Sequence, residues 1–211
     1  MGWFTLKTYP DFYNAYAESF KQKNKHLETT RFVVFDTETT GLNPKEDFIL
    51  SIGTVTIQNF NIHVADSLEC YIQQENYNAK TVEIHGILKT GSIKKMEETE
   101  AIKRFLKHIE GAVLVAHHIA FDVAMINQAL KRMDLPKLKN KLVDTGQLYK
   151  KTKYVKDHKH YSLDALCKKF HITMHDRHTA SGDAYLTAIL FLKFAALLKA
   201  KKNRPLRLSD F

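Results

Sequence analysis

The sequence predicts an α/β fold in which a mixed central sheet starts with a β-hairpin and is flanked by helices. Residues 32–35 form a continuous apolar run, which is typical of a strand buried on both faces. Two runs rich in β-branched residues, 48–57 and 62–72, are separated by the polar-rich segment 59–61, which indicates a hairpin. The later apolar patterns alternate between helices and short strands, so the predicted element order is βββ-α-β-α-β-α-α.

The elements after the hairpin follow from apolar spacing and from helix end signals. Ser162 is a plausible helix cap, and Gly111 lies just past the end of a helical pattern. Helices are predicted at 96–109, 121–133, 162–170 and 180–199, and short buried strands at 112–116 and 142–143.

The chain divides into three predicted regions. Residues 1–30 form an N-terminal helical extension, because aromatic side chains recur at helical spacing within 11–20. Residues 31–199 form the main domain, and residues 200–211 form a basic tail. The last six residues have the apolar spacing of a sliding-clamp peptide, although the match is poor.

Composition narrows the class of protein. The chain has 211 residues, with 32 Lys and Arg against 23 Asp and Glu, a net charge of +9 and 44% hydrophobic residues, which excludes a disordered or fibrous protein. The most apolar run, 188–198, is shorter than the roughly 18 residues of a membrane span. Two cysteines without Cys-x-x-Cys spacing predict reduced thiols. We therefore expect a cytoplasmic protein with no membrane partner. The positive net charge weakly favours a polyanionic binding partner.

Two acids stand at the end of the first predicted strand. Asp36 and Glu38 are two residues apart, so their side chains point to the same side of the strand. Two adjacent carboxylates repel each other unless a cation lies between them. A pair of solvated acids is the alternative interpretation.

Two further acids lie within predicted helices. Asp122 stands in the first turn of a helix, where an acid also stabilises the helix dipole. Asp183 lies inside the long helix on the side that faces the sheet, where a buried acid is unusual unless it is paired or binds a metal ion. His178 precedes it by five residues and is predicted to lie on the loop, because positions five apart do not share a helical face.

Taken together, the four acids predict a metal site. Carboxylates without cysteine ligands suit Mg²⁺ or Mn²⁺ rather than zinc. Two such ions can stabilise both the attacking and the leaving oxygen of a phosphodiester displacement. A nearby histidine can accept the proton of the attacking water. The predicted chemistry is therefore metal-assisted phosphodiester hydrolysis.

Three segments then resemble, in order, the motifs of the DEDDh 3′→5′ exonucleases, a family with a ribonuclease H-like fold. They are 35–42, 117–122 and 178–184, and weaker similarity covers 84–87 and 143–145. The family includes the proofreading subunits of bacterial replicative DNA polymerases, ribonuclease T and oligoribonuclease. The resemblance covers roughly residues 31–198.

The resemblance implies a role for individual residues. Asp36, Glu38, Asp122 and Asp183 would bind two Mg²⁺ or Mn²⁺ ions, with His178 as general base. One position departs from the family pattern, since His118 stands where the second motif usually has Asn. Substrate contacts are implied for Thr37, Thr39, Thr40, His85, His117 and Phe121.

The implied function is a 3′→5′ exonuclease that acts on DNA in proofreading or repair. Its partners would be a nucleic acid with a single-stranded or frayed 3′ end and a DNA polymerase subunit. One alternative is an RNA-trimming or oligoribonucleotide-degrading enzyme. Another is a non-cutting polymerase accessory that holds a 3′ end, which would show its acids tied up in ion pairs. Lysines at 150, 151, 153, 156 and 159 form either a phosphate-binding segment or a solvated loop.

Overall fold

The chain folds around a five-stranded mixed sheet. In this computed structural model, which describes residues 8–21, 26–75, 79–155 and 161–211, the strand order is β3-β2-β1-β4-β5. The first three strands pair antiparallel and the last two add in parallel, which confirms the predicted sheet and its starting hairpin. The strands are β1 Arg31–Thr39, β2 Ile49–Gln58, β3 Asn61–Tyr71, β4 Val113–Ala116 and β5 Leu142–Asp144.

The described helices include two that the apolar pattern did not predict. These are α2 and α5, which are each seven residues long and, unlike the equally short α6, had no predicted cap to mark them. The helices are α1 Asp11–Glu18, α2 Ala79–His85, α3 Glu98–His108, α4 Ala120–Arg132, α5 Thr145–Lys151, α6 Leu163–Lys169 and α7 Ala180–Lys202. A short 3₁₀ turn, Leu208–Asp210, follows α7.

Strand β1 lies between two apolar cores, as its continuous apolar run predicted. Val33 and Phe35 pack into a core with α1, α3 and α4, whereas Phe32 and Val34 pack on the opposite face with α7. The alternation continues along the strand, so Asp36 and Glu38 point to the face that α7 covers.

The N-terminal extension docks on the main domain through α1. The hydroxyl of Tyr16 donates a hydrogen bond to Asn140 Oδ1 at 2.6 Å and accepts one from the Lys139 amide at 2.7 Å. Asn140 in turn donates to the carbonyls of Ile109 and Ala112 at 2.9 Å. The predicted helix is therefore present. Residues 1–7 and 22–25 of the predicted extension lie outside the described residues.

Helix α7 is the central helix of the second core. Its 23 residues include a window with a mean hydropathy of 1.4, enough by length and composition for a membrane span, but 56% of that window is buried inside the protein. Packing against β1 and β2 explains this apolar composition, because a helix that is buried along much of its surface is apolar in a folded domain too.

The C-terminal tail folds back onto this core. Phe211 packs against the rings of Phe32 and Phe191, with centroids 5.6 and 5.3 Å apart. The guanidinium of Arg204 donates two hydrogen bonds of 2.9 Å to the carboxylate of Asp210. In the predicted clamp-like segment, Phe211 is therefore half-buried against this core. Helix α7 ends at Lys202 rather than at residue 199.

Candidate active site

Strand β1 carries the first two acids of the candidate site. Asp36 lies opposite Gly53 of β2, and Glu38 lies opposite Ser51. Both acids are half-buried, because the strand end where they lie is partly covered by α7. The hydroxyl of Ser51 is buried on β2 with no hydrogen-bond partner among the described residues.

Helix α7 brings the third acid to the sheet by a close backbone approach. A Cβ on Gly53 would lie 2.2 Å from the Ser181 nitrogen and 2.3 Å from the Ala180 carbonyl carbon, so only glycine leaves room for the helix. Thr179 caps the helix, since its Oγ1 accepts a hydrogen bond from the Gly182 amide at 3.1 Å. Asp183 is thereby buried in the first turn, as predicted.

Three carboxylates therefore converge. One ligand oxygen from each of Asp36, Glu38 and Asp183 lies within 4.8 Å of the others. These three residues were predicted as metal ligands, and the structure brings them together.

The fourth predicted acid, Asp122, is held beside this group by β1. Its Oδ1 accepts hydrogen bonds from the Thr37 amide at 3.0 Å and from the Thr37 hydroxyl at 2.7 Å. Its side chain is buried, and its charge adds to the burial of Asp36 in raising the pKa of Asp36. Asp122 thus lies near the three converging acids but outside the group of ligand oxygens within 4.8 Å.

The acids are difficult to ionise in the absence of a cation. Burial, followed by the charges of Asp122, Asp183 and Glu38, raises the pKa of Asp36 well above its usual value. Burial and the charge of Asp183 raise the pKa of Glu38 to about 7. Burial also raises the pKa of Asp122 to about 7, although its hydrogen bonds from Thr37 oppose the rise. A divalent cation would remove this repulsion.

A protein cation also reaches one of the four acids. Nη1 of Arg177 donates a hydrogen bond to Asp183 Oδ2, and Nε of Arg177 donates to Asp164 Oδ1 at 2.6 Å. Although burial lowers the pKa of Arg177, these carboxylates raise it above its usual value. The signal that could have identified Arg177 is its position directly before His178.

The arrangement nevertheless fits a divalent cation. Asp183 Oδ1 is buried without a hydrogen-bond partner in the described part of the chain, and such an oxygen is costly unless a cation or donor satisfies it. The converging donors are all carboxylate oxygens, which Mg²⁺ and Mn²⁺ prefer. Asp36, Glu38 and Asp183 are therefore suited to hold the ion, with Asp122 adjacent.

His178 lies on the loop before α7, as predicted. Its backbone is left-handed, with φ of 62°, and its side chain is exposed. An exposed imidazole is accessible to water. Its role as a general base stays a prediction.

The three threonines predicted to contact substrate already make hydrogen bonds within the protein. Thr37 holds Asp122, while the hydroxyl of Thr39 donates to the Gly41 carbonyl at 2.7 Å. The hydroxyl of Thr40 donates to Asp47 Oδ1 at 2.9 Å. Sequence reasoning missed the supporting role of Thr37, although its place between the two acids and on the opposite strand face was a signal. Substrate contact by these residues stays a prediction.

The second motif, residues 117–122, also contains a predicted substrate residue that is already hydrogen-bonded within the protein. Both ring nitrogens of His117 are engaged, one with Thr145 Oγ1 and one with the Tyr161 carbonyl, each at 2.8 Å, and burial lowers its pKa to about 4. His118 has a left-handed backbone, with φ of 61°. Asn and His are both enriched in that conformation, which explains how His118 can replace the family's usual Asn. Phe121 is half-buried against the first core.

His85 differs from His117 because one of its nitrogens is unused. Nδ1 accepts a hydrogen bond from the Ile87 amide at 3.0 Å, whereas Nε2 is buried without a partner among the described residues. Burial lowers the pKa of His85, so the neutral ring is favoured. Its contact with substrate stays a prediction.

The predicted basic segment is only partly described. Lys150 and Lys151 end α5 and Lys153 follows it, and Lys151 Nζ donates a hydrogen bond to the Asp210 carbonyl at 3.1 Å. The lysines at 156 and 159 and the neighbouring histidines lie outside the described residues. Whether the segment follows a phosphate backbone stays a prediction.

Comparisons with known proteins agree with this geometry. Residues 33–191 match the RNase T family model, which is described as an exonuclease. The chain is 35% identical to the DNA polymerase III PolC-type of Caldanaerobacter subterraneus subsp. tengcongensis over 80% of its own length and 12% of that protein. It is 31% identical to the Bacillus subtilis DNA polymerase III PolC-type over 91% of its length and 13% of that protein. The chain thus spans about an eighth of these relatives.

Solved structures have the same fold. Escherichia coli exonuclease I in complex with a dT13 oligonucleotide aligns with a TM-score of 0.70 at 15% identity, over 83% of this chain and 43% of that chain. A second exonuclease I structure aligns with a TM-score of 0.69 at 18% identity, over 82% and 41%. The chain therefore belongs to the RNase T exonuclease family of nucleases and has a ribonuclease H-like fold.

Proposed function

We propose that this protein is a metal-dependent 3′→5′ exonuclease that removes nucleotides from a single-stranded or frayed 3′ end of DNA. The observation that carries the proposal is the convergence of Asp36, Glu38 and Asp183 within 4.8 Å, next to the buried Asp122. Mutually repelling acids are unfavourable in a metal-free fold, so their arrangement is better explained by a bound cation than by stability.

The acids would hold two ions, Mg²⁺ or Mn²⁺. When bound, such ions would stabilise the negative charge that develops on the oxygens of the scissile phosphate. Asp36, Glu38 and Asp183 would supply carboxylate oxygens, and Asp122 would complete the set from α4. Thr37 keeps Asp122 turned toward β1 through two hydrogen bonds.

His178 would accept the proton from the attacking water. Its exposed position on the loop before α7 leaves the imidazole free to reach a water molecule beside the acids. The hydrogen bonds of Thr39 and Thr40 stiffen the loop after β1, so that its backbone can orient the terminal nucleotide. His85 Nε2 is a candidate donor or acceptor for the same nucleotide.

Relatives support DNA as the substrate and a polymerase as the context. The similar chains named above are DNA polymerases, and the similar fold of exonuclease I was solved with a DNA oligonucleotide. We propose accordingly that the enzyme acts in proofreading or repair, beside a DNA polymerase subunit in the cytoplasm. The free cysteines Cys70 and Cys167 agree with that reducing compartment.

The non-cutting accessory would require acids that are tied up in ion pairs. Among the described residues, only Asp183 of the four acids has such a pair, through Arg177, and one of its two oxygens is left without a partner. Activity is therefore the better-supported function. RNA trimming remains the alternative function with the same chemistry, because discrimination between RNA and DNA depends on a contact to the ribose 2′-OH.

The test uses single-stranded DNA and RNA of equal sequence, labelled at the 5′ or the 3′ end, with Mg²⁺, Mn²⁺ or excess chelator. We expect a ladder of products shortened from the 3′ end, formed on DNA and only with metal. Circular single-stranded DNA should stay intact. An Asp36→Asn variant is the control for contaminating nuclease.

Each other outcome points to a different conclusion. Faster cutting of the RNA would favour the trimming enzyme. Binding of a 3′ end without cutting in any metal would favour the accessory protein. Undiminished cutting in chelator, or cutting of the circle, would contradict the proposed mechanism.

A further inference from the structure

Arg177 occupies a strained turn directly before His178. Both of its neighbours, Asp176 and His178, have left-handed backbones, with φ of 52° and 62°. Such conformations are uncommon for residues other than glycine and persist where the surrounding structure enforces them. The turn directs the arginine side chain inward, where it is only 19% exposed.

The guanidinium joins the first turns of two helices. Nε donates to Asp164 Oδ1 of α6 at 2.6 Å, and Nη1 donates to Asp183 Oδ2 of α7. Because the guanidinium is planar and carries its donors in a rigid fork, the two contacts together restrict its orientation. Asp164 thus anchors the arginine, and the arginine holds Asp183.

This contact divides the two oxygens of Asp183 between different surroundings. Oδ2 is held by Arg177, whereas Oδ1 is buried and has no hydrogen-bond partner in the described part of the chain. A carboxylate held at one oxygen cannot rotate freely about its Cβ–Cγ bond. Its second oxygen is therefore available, in a restricted direction, to a ligand that the protein itself does not provide.

A competing interpretation is that Arg177 occupies the place of a cation. An arginine in that place would form ion pairs with several of the converging acids. Among the described residues, its ion pairs are with Asp183 and with Asp164, which lies outside the group of converging acids. The contacts favour an arginine that supports the site from the outside.

We propose that Arg177, anchored by Asp164, is a positioning residue that orients the Asp183 carboxylate to bind a divalent cation. This inference rests on the proposed function, since it requires the acids to bind metal. Residues that hydrogen-bond to a metal ligand typically change metal affinity or activity by 10–100-fold when they are replaced.

The experiment measures Mn²⁺ binding to the full chain without substrate, by calorimetry and by the loss of the free-ion electron spin resonance signal. We expect Arg177→Gln to weaken Mn²⁺ binding by about 10–100-fold. Arg177→Lys keeps the positive charge but loses the planar fork of donors, so it should keep only part of the parent's affinity for Mn²⁺. Arg132→Gln is the matched control, because Arg132 forms two hydrogen bonds with Glu98 between α3 and α4 and no ion pair with the converging acids among the described residues.

A double-mutant cycle separates positioning from general stability. Asp164→Asn should weaken Mn²⁺ binding less than Arg177→Gln, and it should add little in the Arg177→Gln background, because Asp164 acts through the arginine. Thermal unfolding in chelator identifies variants that do not fold. If Arg177→Gln does not fold, Asp164→Asn and Arg177→Lys provide the same test.

The outcomes distinguish this inference from the proposed function. Unchanged or tighter Mn²⁺ binding by a folded Arg177→Gln protein would overturn the positioning role, and tighter binding would identify the arginine as a competitor for the site. Additive losses in the cycle would overturn the role of Asp164. A parent protein that binds no Mn²⁺ would instead contradict the proposed function itself.

Discussion

Gly53 lies directly opposite Asp36 in the β1–β2 pair, and the space where its side chain would be is occupied by the backbone of α7. A Cβ there would lie 2.2 Å from the Ser181 nitrogen, two residues before Asp183. The missing side chain thus allows the third acid to approach the first. The site depends on a residue that carries no functional group.

Gly53→Ala should therefore damage the site by displacing the start of α7. Overpacking against an immobile backbone destabilises by about 1–3 kcal/mol. We expect a loss of both unfolding free energy and metal-dependent nuclease activity, measured by denaturant unfolding and by the labelled-DNA assay. Gly91→Ala is the control, because a Cβ at Gly91 meets no atom within 4 Å. Equal activity in the Gly53→Ala variant and the parent would refute this account.

Thr37→Val should reduce activity while leaving the fold intact. The change removes the hydroxyl that donates to Asp122 Oδ1 but keeps nearly the same shape. We expect a loss of about 10–100-fold in turnover, the usual range for a residue that supports a metal ligand. Thr37→Ser retains the donor and should stay near the parent. Similar rates for the valine and serine variants would show that the hydroxyl does not matter.

The metal-free protein should lose stability as the pH rises. Glu38 has a pKa of about 7 in the fold and a usual value of 4.5, so between these values the folded state holds more protons than the unfolded chain. Unfolding free energy then falls with rising pH, on the order of 3 kcal/mol over this interval, since one pKa unit is about 1.4 kcal/mol. Asp36 and Asp122 act in the same direction, because their pKa values are also raised.

Urea unfolding in chelator from pH 5 to pH 8 measures this slope. Glu38→Gln should make it shallower, and replacement of the exposed Glu28 by Gln should not. His117, whose pKa is lowered to about 4, contributes an opposite slope but is common to all three proteins. Saturating Mg²⁺ or Mn²⁺ should stabilise the parent most at high pH, where the acids are ionised. A parent slope equal to that of Glu38→Gln would contradict the raised pKa.

Replacement of His178 should affect turnover rather than folding. We expect His178→Asn to lower single-turnover cleavage by about 10²–10⁴-fold, the usual range for a lost general base, with DNA binding retained. Asparagine tolerates the left-handed backbone, whereas alanine at φ of 62° should also lower stability slightly. Near-normal cleavage by the asparagine variant at neutral pH would mean that another group accepts the proton.

Much of the site was predictable because it follows local spacing. The two-residue period of a strand put Asp36 and Glu38 on one face, and the start of a helix located Asp122. The loop position of His178 and the burial of Asp183 followed from the helical period. The five strands were predicted from their apolar patterns. Helices α2 and α5 were not predicted, because seven residues show too little of a helical period and neither helix, unlike α6, had a predicted cap.

The sequence by itself determined which chemistry the chain can perform, since it specifies the acids, their order and the elements that carry them. Only the tertiary structure decided how those acids are supported. The hydrogen bond from Thr37 to Asp122 spans 85 positions, and Gly53 meets a backbone 128 positions further along the chain. Arg177 and Asp164 are closer in sequence, yet they meet only because α6 and α7 pack side by side. Residue spacing encodes the direction of a side chain within one helix or strand, but the partner it meets depends on how separate elements pack.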